Sequence, residues 1–249
     1  MGRTLNLLDH LLTESRRLLD ADQPRQALAL LQRLARFTDI PLATAAEGQR
    51  LLGETYLKLS QYRLARRHLR RATAWQPKNA AAHYLLARAI VADPNVDAVR
   101  AARSFRRALE LDPSNARLLC DAGVYFGEMG RWPAALALLE KAVELAPEDL
   151  GVLSALVDAM CEAERYEEAR RAVDVARFRF RRDGRLSELA DGVEFRRAQQ
   201  AQANADVVPF LRVVGGDEAG VRGKKYRRDR APKTRSHLPL PHFDTGRSG

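Results

Sequence analysis

The densest chemistry in this chain is electrostatic and sits near its end. From Val221 onward, Arg222, Lys224, Lys225, Arg227, Arg228, Arg230, Lys233, Arg235 and Arg247 stand against Asp229 and Asp244. Guanidinium and ammonium groups packed this closely repel one another. They are relieved by phosphates or carboxylates, and binding of that kind weakens as salt rises. Tyr226 is the one aromatic within the run, which is thin support for base stacking. The cluster holds most of the formal net charge of +10. Bond-making chemistry has no comparable signal. The histidines His10, His68, His83, His237 and His242 are scattered. There is no Gly-rich phosphate loop, no paired histidines of a zinc site and no nucleophile motif. The chain is therefore read as non-catalytic, with no cofactor and no metal.

The elements that would carry any binding residues are set by a recurring pattern of small and large apolar side chains. In Ala46–Pro77, Leu52-Gly53 is followed by Tyr56, Ala65, Leu69, Ala72 and Pro77. The offsets return as Gly123, Phe126, Ala135, Leu139, Ala142 and Pro147. They return again as Leu86-Ala87, Ile90, Ala101, Phe105 and Ala108 before Pro113, and as Leu156-Val157, Met160, Ala169, Val173 and Ala176. A degenerate copy places Leu11, Ser15, Leu18, Ala27 and Leu31 at the same positions. A unit of this length is too short to bury its own apolar face and needs a stacked neighbour; its turn signal at Leu59-Ser60-Gln61 divides it into two helical stretches, A and B. Gly53 and Ala65 mark where the two helices come close, and a side chain larger than a methyl there would hold them apart. Pro77 closes helix B. Asn79 and either Ser114 or Asn115 are suited to cap the next helices, and Gly130 to end one in the left-handed conformation.

This pattern, with its period of about 34 residues, resembles the tetratricopeptide repeat. The resemblance implies an all-α fold: a right-handed α-solenoid of about five helix hairpins, then a capping helix and a disordered basic tail. The expected division is a degenerate first repeat over 1–44, four repeats over 45–183, a capping helix over 184–205 and the tail over 206–249. Leu186, Leu189 and Val193 carry the apolar face of the cap, best placed over 186–204. The link Phe37–Thr44 is longer than the family's usual turn, and repeat three carries two extra residues within Ala92–Asp97. Val207–Val214 has no helical period and is read as an extended or exposed segment.

By the same resemblance, the A helices line a groove for partners. The groove positions include Arg16, Arg50, Glu54, Tyr84, Arg88, Arg117, Val124 and Asp158. Some family members hold the C-terminal carboxylate of chaperones with a Lys/Asn clamp. The matching positions here are Arg50, Glu54, Leu85, Arg117 and Asp121, without asparagine, which argues against that specificity. Arg16, Arg50, Arg88 and Arg117 could form a ladder for an acidic or extended peptide. They could equally be neutralised by Glu54, Asp20 and Glu128. Cys120 and Cys161 fall near opposite ends of neighbouring A helices, beyond disulfide reach.

The functional expectation is a scaffold or adaptor that binds one or more proteins in the groove, as a subunit of a larger complex, with the tail as a second contact. The alternative is an RNA- or ribosome-associated factor tethered by its tail. No apolar run approaches the ~18 residues of a membrane span. Asp9 and His10 interrupt the apolar residues behind the N-terminus, so no secretory leader is expected and the cytoplasm is the expected compartment.

Overall fold

A computed structural model describes residues 2–214 apart from 39, 181 and 182, and within that span the side chains of residues 6–203. The described residues are helices and turns. They divide into two units, Met1–Leu145 and Ala146–Gly249. In the first unit, α1 (Gly2–Asp20) pairs with α2 (Pro24–Leu34), and α3 (Leu42–Lys58) with α4 (Tyr62–Trp75). There α5 (Ala80–Val91) also pairs with α6 (Ala102–Leu111), and α7 (Ala116–Glu128) with α8 (Trp132–Leu145). The second unit holds the hairpin α9 (Leu150–Glu162) and α10 (Tyr166–Ala176), with α11 (Gly184–Val214) packed on both.

The expected small residues are where the helices meet. Ala27, Ala65, Ala101, Ala135 and Ala169 are completely buried. Gly53 is tighter than the sequence suggests. A Cβ on it would stand 2.3 Å from Leu69 Cγ, so not even a methyl fits. Gly123 repeats the arrangement, with its would-be Cβ 2.6 Å from Leu139 Cγ. The large partners fill what remains: Leu69, Leu139 and Phe105 are fully buried.

The helix ends follow from local chemistry. The side chains of Asn79, Asn115 and Asp149 accept the amide protons of Ala82, Leu118 and Val152, at 3.0, 3.1 and 3.3 Å. Each satisfies a donor that a helix start leaves open; of the two candidates before α7, Asn115 is the cap. The turns inside four hairpins share one geometry. Asp22, Ser60, Gly130 and Glu164 all take a positive φ. In each, the following amide bonds back to the A helix, as Gln61 N–H to Tyr56 O at 2.8 Å and Arg131 N–H to Phe126 O at 2.9 Å. This is the motif that ends a helix through a left-handed residue. Gly130 is the residue type best suited to it and Asp22 a tolerated one, whereas Ser60 and Glu164 take it with a disfavoured side chain.

Two boundaries differ from the sequence reading, and the insertion of repeat three falls where it was expected. Helix α3 begins at Leu42, after Pro41, so the link from repeat one is shorter than expected. The insertion of repeat three is ordered by Asp93, whose carboxylate accepts from Asn95 N–H at 3.0 Å, and it ends in a short 3-10 turn over Ala98–Ala101. Helix α11 is longer than the expected cap. Its backbone stays helical through Gly192 and on to Val214, past the boundary at 205, so 207–214 is helical rather than extended.

Candidate partner-binding face

Side chains on the A helices of the first unit join into two polar clusters. In the first, Glu47 on α3 accepts from Arg16 of α1 at 2.8 Å and from Arg50 at 2.7 Å. Arg50 also reaches Glu54 at 2.9 Å. The spacing explains the pattern: three and four residues apart on a helix, Glu47, Arg50 and Glu54 are neighbours on one face. Burial pushes the Glu47 carboxyl up, but Arg50 and then Arg16 outweigh it and hold it below the usual carboxylate range. Arg50 is the mirror case: burial favours its neutral form, and Glu47 and Glu54 more than compensate.

The second cluster spans α5 and α7. The Tyr84 hydroxyl donates to Asp121 Oδ2 at 2.7 Å. Arg88 Nε lies 3.4 Å from the same oxygen, and its guanidinium sits 5.6 Å from the Tyr84 ring centre. Burial first, then the Asp121 carboxylate, raises the Tyr84 phenol far above its ordinary range, so it remains a donor. Arg88 Nε is buried and makes no hydrogen bond. Arg117 stands near enough to Tyr84 to act on its ionisation, and Val124 is half-buried on α7.

Of the expected groove residues, the structure therefore brings Arg16, Arg50 and Glu54 together around Glu47, and Tyr84 and Arg88 around Asp121. Arg50 has the expected partner Glu54, whereas Arg16 takes Glu47 in place of Asp20. Asp158 belongs to the second unit. It accepts from Arg196 of α11 at 2.7 Å, and from Ser154 on its own helix at 3.5 Å. The sequence reading missed Asp121 as an acceptor for two groove residues, and Arg196 as a partner. The only signal for Asp121 was a carboxylate one helical turn after Arg117 on a small-residue face. The tail cluster Arg222–Arg235 lies outside the described residues. Cys120 and Cys161 are buried and free of disulfides. Among the described residues, no three His, Cys, Asp or Glu gather as metal ligands, and no helix is long and apolar enough to cross a membrane.

Two family models, both described as tetratricopeptide repeat, match the chain: one over residues 50–116 and 99–149, the other over 128–190. These spans together take in more than half of its length. The chain is a tetratricopeptide repeat protein.

No curated protein matches it significantly. Solved structures share the fold at low identity. A tetratricopeptide repeat protein of Parabacteroides merdae is 17% identical, with 86% of this chain and 81% of that one covered and a TM-score of 0.63. A thermophilic repeat protein of Thermus thermophilus is 21% identical, covering 76% of this chain and 99% of that one, with a TM-score of 0.56. YrrB, a repeat protein with an unusual peptide-binding site, is 19% identical, covering 73% and 90%, with a TM-score of 0.55. A tetratricopeptide repeat array is in general a scaffold for protein–protein interaction, and its members are typically not catalysts.

Proposed function

We propose that this repeat protein is a non-catalytic adaptor whose A-helix face, over α1 to α7, holds an extended acidic segment of a partner protein. The observation that carries this reading is Arg88. Its Nε is buried and makes no hydrogen bond: it stands 3.4 Å from the Asp121 oxygen to which the Tyr84 hydroxyl donates. A carboxylate from a partner would give the Arg88 guanidinium the acceptor that its Nε lacks. Arg16, with more than half of its side chain exposed, offers a second anchor two hairpins away on α1. Glu47 and Asp121 keep the arginines in place before the partner arrives, which lowers the ordering cost of binding. That YrrB combines this fold with a peptide-binding site is consistent with the use of such a face. The basic tail adds a second contact and raises the effective concentration of the first. The cytoplasm is the compartment in which we place the complex.

The test is affinity capture from the source cell with the full chain, Arg88→Ala and a chain ending at residue 214, each with and without nuclease. The proposal expects one set of proteins that survives nuclease, persists on removal of the tail and is lost with Arg88→Ala. Recovery that needs the tail and collapses with nuclease would replace it with a factor tethered to RNA or the ribosome.

A further inference from the structure

The B helices of repeats two and three carry a different surface. Helix α4 has no acidic residue. Its exposed stripe runs Arg63, Arg67, Arg70, Arg71 and ends on Trp75, which is 41% exposed. The stripe entering and following α6 runs Arg100, Arg103, Arg106, Arg107. Among the described residues, none of Arg63, Arg67, Arg70, Arg71, Arg100 and Arg103 pairs with a carboxylate. This contrasts with the A face, where arginines are locked to acids. Both stripes lie opposite the buried residues Ala65, Leu69, Phe105 and Ala108, so they point away from the core.

The two rows are fixed relative to one another. Both helices pack on α5. Arg66, on the inner edge of α4, reaches into the insertion of repeat three and holds the buried Asp93 at 2.5 Å. That insertion leads directly into α6. The extra residues of repeat three thus supply the acid that ties one basic row to the other. The field of the α4 row is felt by its neighbour His68: burial, then Arg71 and Arg67, hold the imidazole below its usual range.

We infer that the α4–α6 face is a binding surface for single-stranded nucleic acid, with the arginine rows on its phosphates and Trp75 under a base. Residues four apart on a helix recur every ~6 Å, so Arg67, Arg71 and Trp75 form one straight ridge. A row of guanidinium groups that ends on an exposed indole suits a strand of phosphates with free bases. An acidic protein could also meet the charges, but stacking of a flat base on the indole beside a phosphate row is particular to a single strand. This surface is separate from the A face and from the tail, and neither reading depends on the other.

The experiment measures binding of a labelled uridine oligonucleotide to the full chain as a function of salt. The comparison variants are Trp75→Ala and the fourfold change Arg67→Ala, Arg71→Ala, Arg103→Ala, Arg106→Ala, each checked for unchanged helicity and melting. Every chain keeps its tail, so differences report the face alone. The fourfold variant is expected to bind at least ~10-fold more weakly. Its log-affinity should depend less steeply on log-salt, by about 0.7 for each phosphate contact removed. Trp75→Ala is expected to lose ~10-fold or more with the salt slope unchanged. Identical affinity and slope in the wild type and fourfold variant would overturn the assignment. So would a polyglutamate peptide of equal charge that competes as well as the oligonucleotide.

Discussion

Asp93 is 4% exposed, and its charge is tolerated only because Arg66 and the backbone of Asn95 receive it. Removing one member of a buried pair leaves the other charged and dry. Asp93→Ala should therefore lower stability by about 3 kcal/mol in urea unfolding, and a double change with Arg66→Met should recover part of that loss. At Gly53 the constraint is steric. With Leu69 Cγ 2.3 Å from a would-be Cβ, Gly53→Ala must push α3 and α4 apart, costing about 3 kcal/mol. Ionisation gives a third expectation. Burial opposes the charge of Asp93, but Asn95 and Arg66 prevail and hold its carboxyl below 3.8; Glu47 is likewise held below 4.5. For both, the unfolded chain binds protons first on acidification. Their stabilisation is whole above the unfolded values and is lost as pH falls through the folded ones. His68 acts earlier. Its imidazole is held below 6.5, so the unfolded chain is favoured once pH falls through that value. Melting temperature followed from pH 8 to pH 3 should fall in two stages, and His68→Gln should remove the first.

At the scale of the element, four hairpin turns use one backbone solution with unequal residues. Gly130 takes φ +72 without strain, whereas Ser60 and Glu164 take 59 and 63 with a Cβ present. Left-handed backbone disfavours such residues by about 1 kcal/mol, part of which a glycine returns to the flexible unfolded chain. Ser60→Gly and Glu164→Gly should each stabilise the protein by about 0.5 kcal/mol, and Gly130→Ala should destabilise it by about 1 kcal/mol, all readable as shifts in melting temperature. The caps are the complementary case. Asn115→Ala leaves the amide of Leu118 without its acceptor and should cost about 1 kcal/mol.

For the whole molecule, the distribution of charge matters more than its sum. Positive charge gathers in two places: the tail, as sequence, and the outer stripes of α4 and α6, where among the described residues only Arg107 pairs with an acid, Glu110. The A face carries charge as well, but in neutralised clusters. A chain ending at residue 214 should therefore keep a salt-sensitive affinity for polyanions, reduced in slope but not abolished; retention on a heparin column at stepped salt would measure it.

How much of this was readable beforehand differs by feature. The hairpins were legible, because stacking demands a small residue at each close approach and those residues recur at fixed offsets. Gly53, Ala65, Gly123 and Ala135 announce the fold without any long-range knowledge. Asn79 and Asn115 announce helix starts, since a cap acts on amides only three residues away. The extent of α11 was not legible, because Val207–Val214 has no helical period to read. Nor were the partners of the charged residues. An arginine at a known offset can reach several acids, and the choice of Glu47 over Asp20 for Arg16, or of Asp121 for Arg88, depends on how neighbouring A helices approach. The union of Arg66 with Asp93 depends further on the path of an insertion that has no counterpart in the other repeats. The sequence by itself determined the helices, their order and the small residues between them, since those follow from local spacing. Tertiary structure alone decided which guanidinium groups are spent on acids of the same chain and which are left facing outward, because ion pairing is settled by the distances between helices.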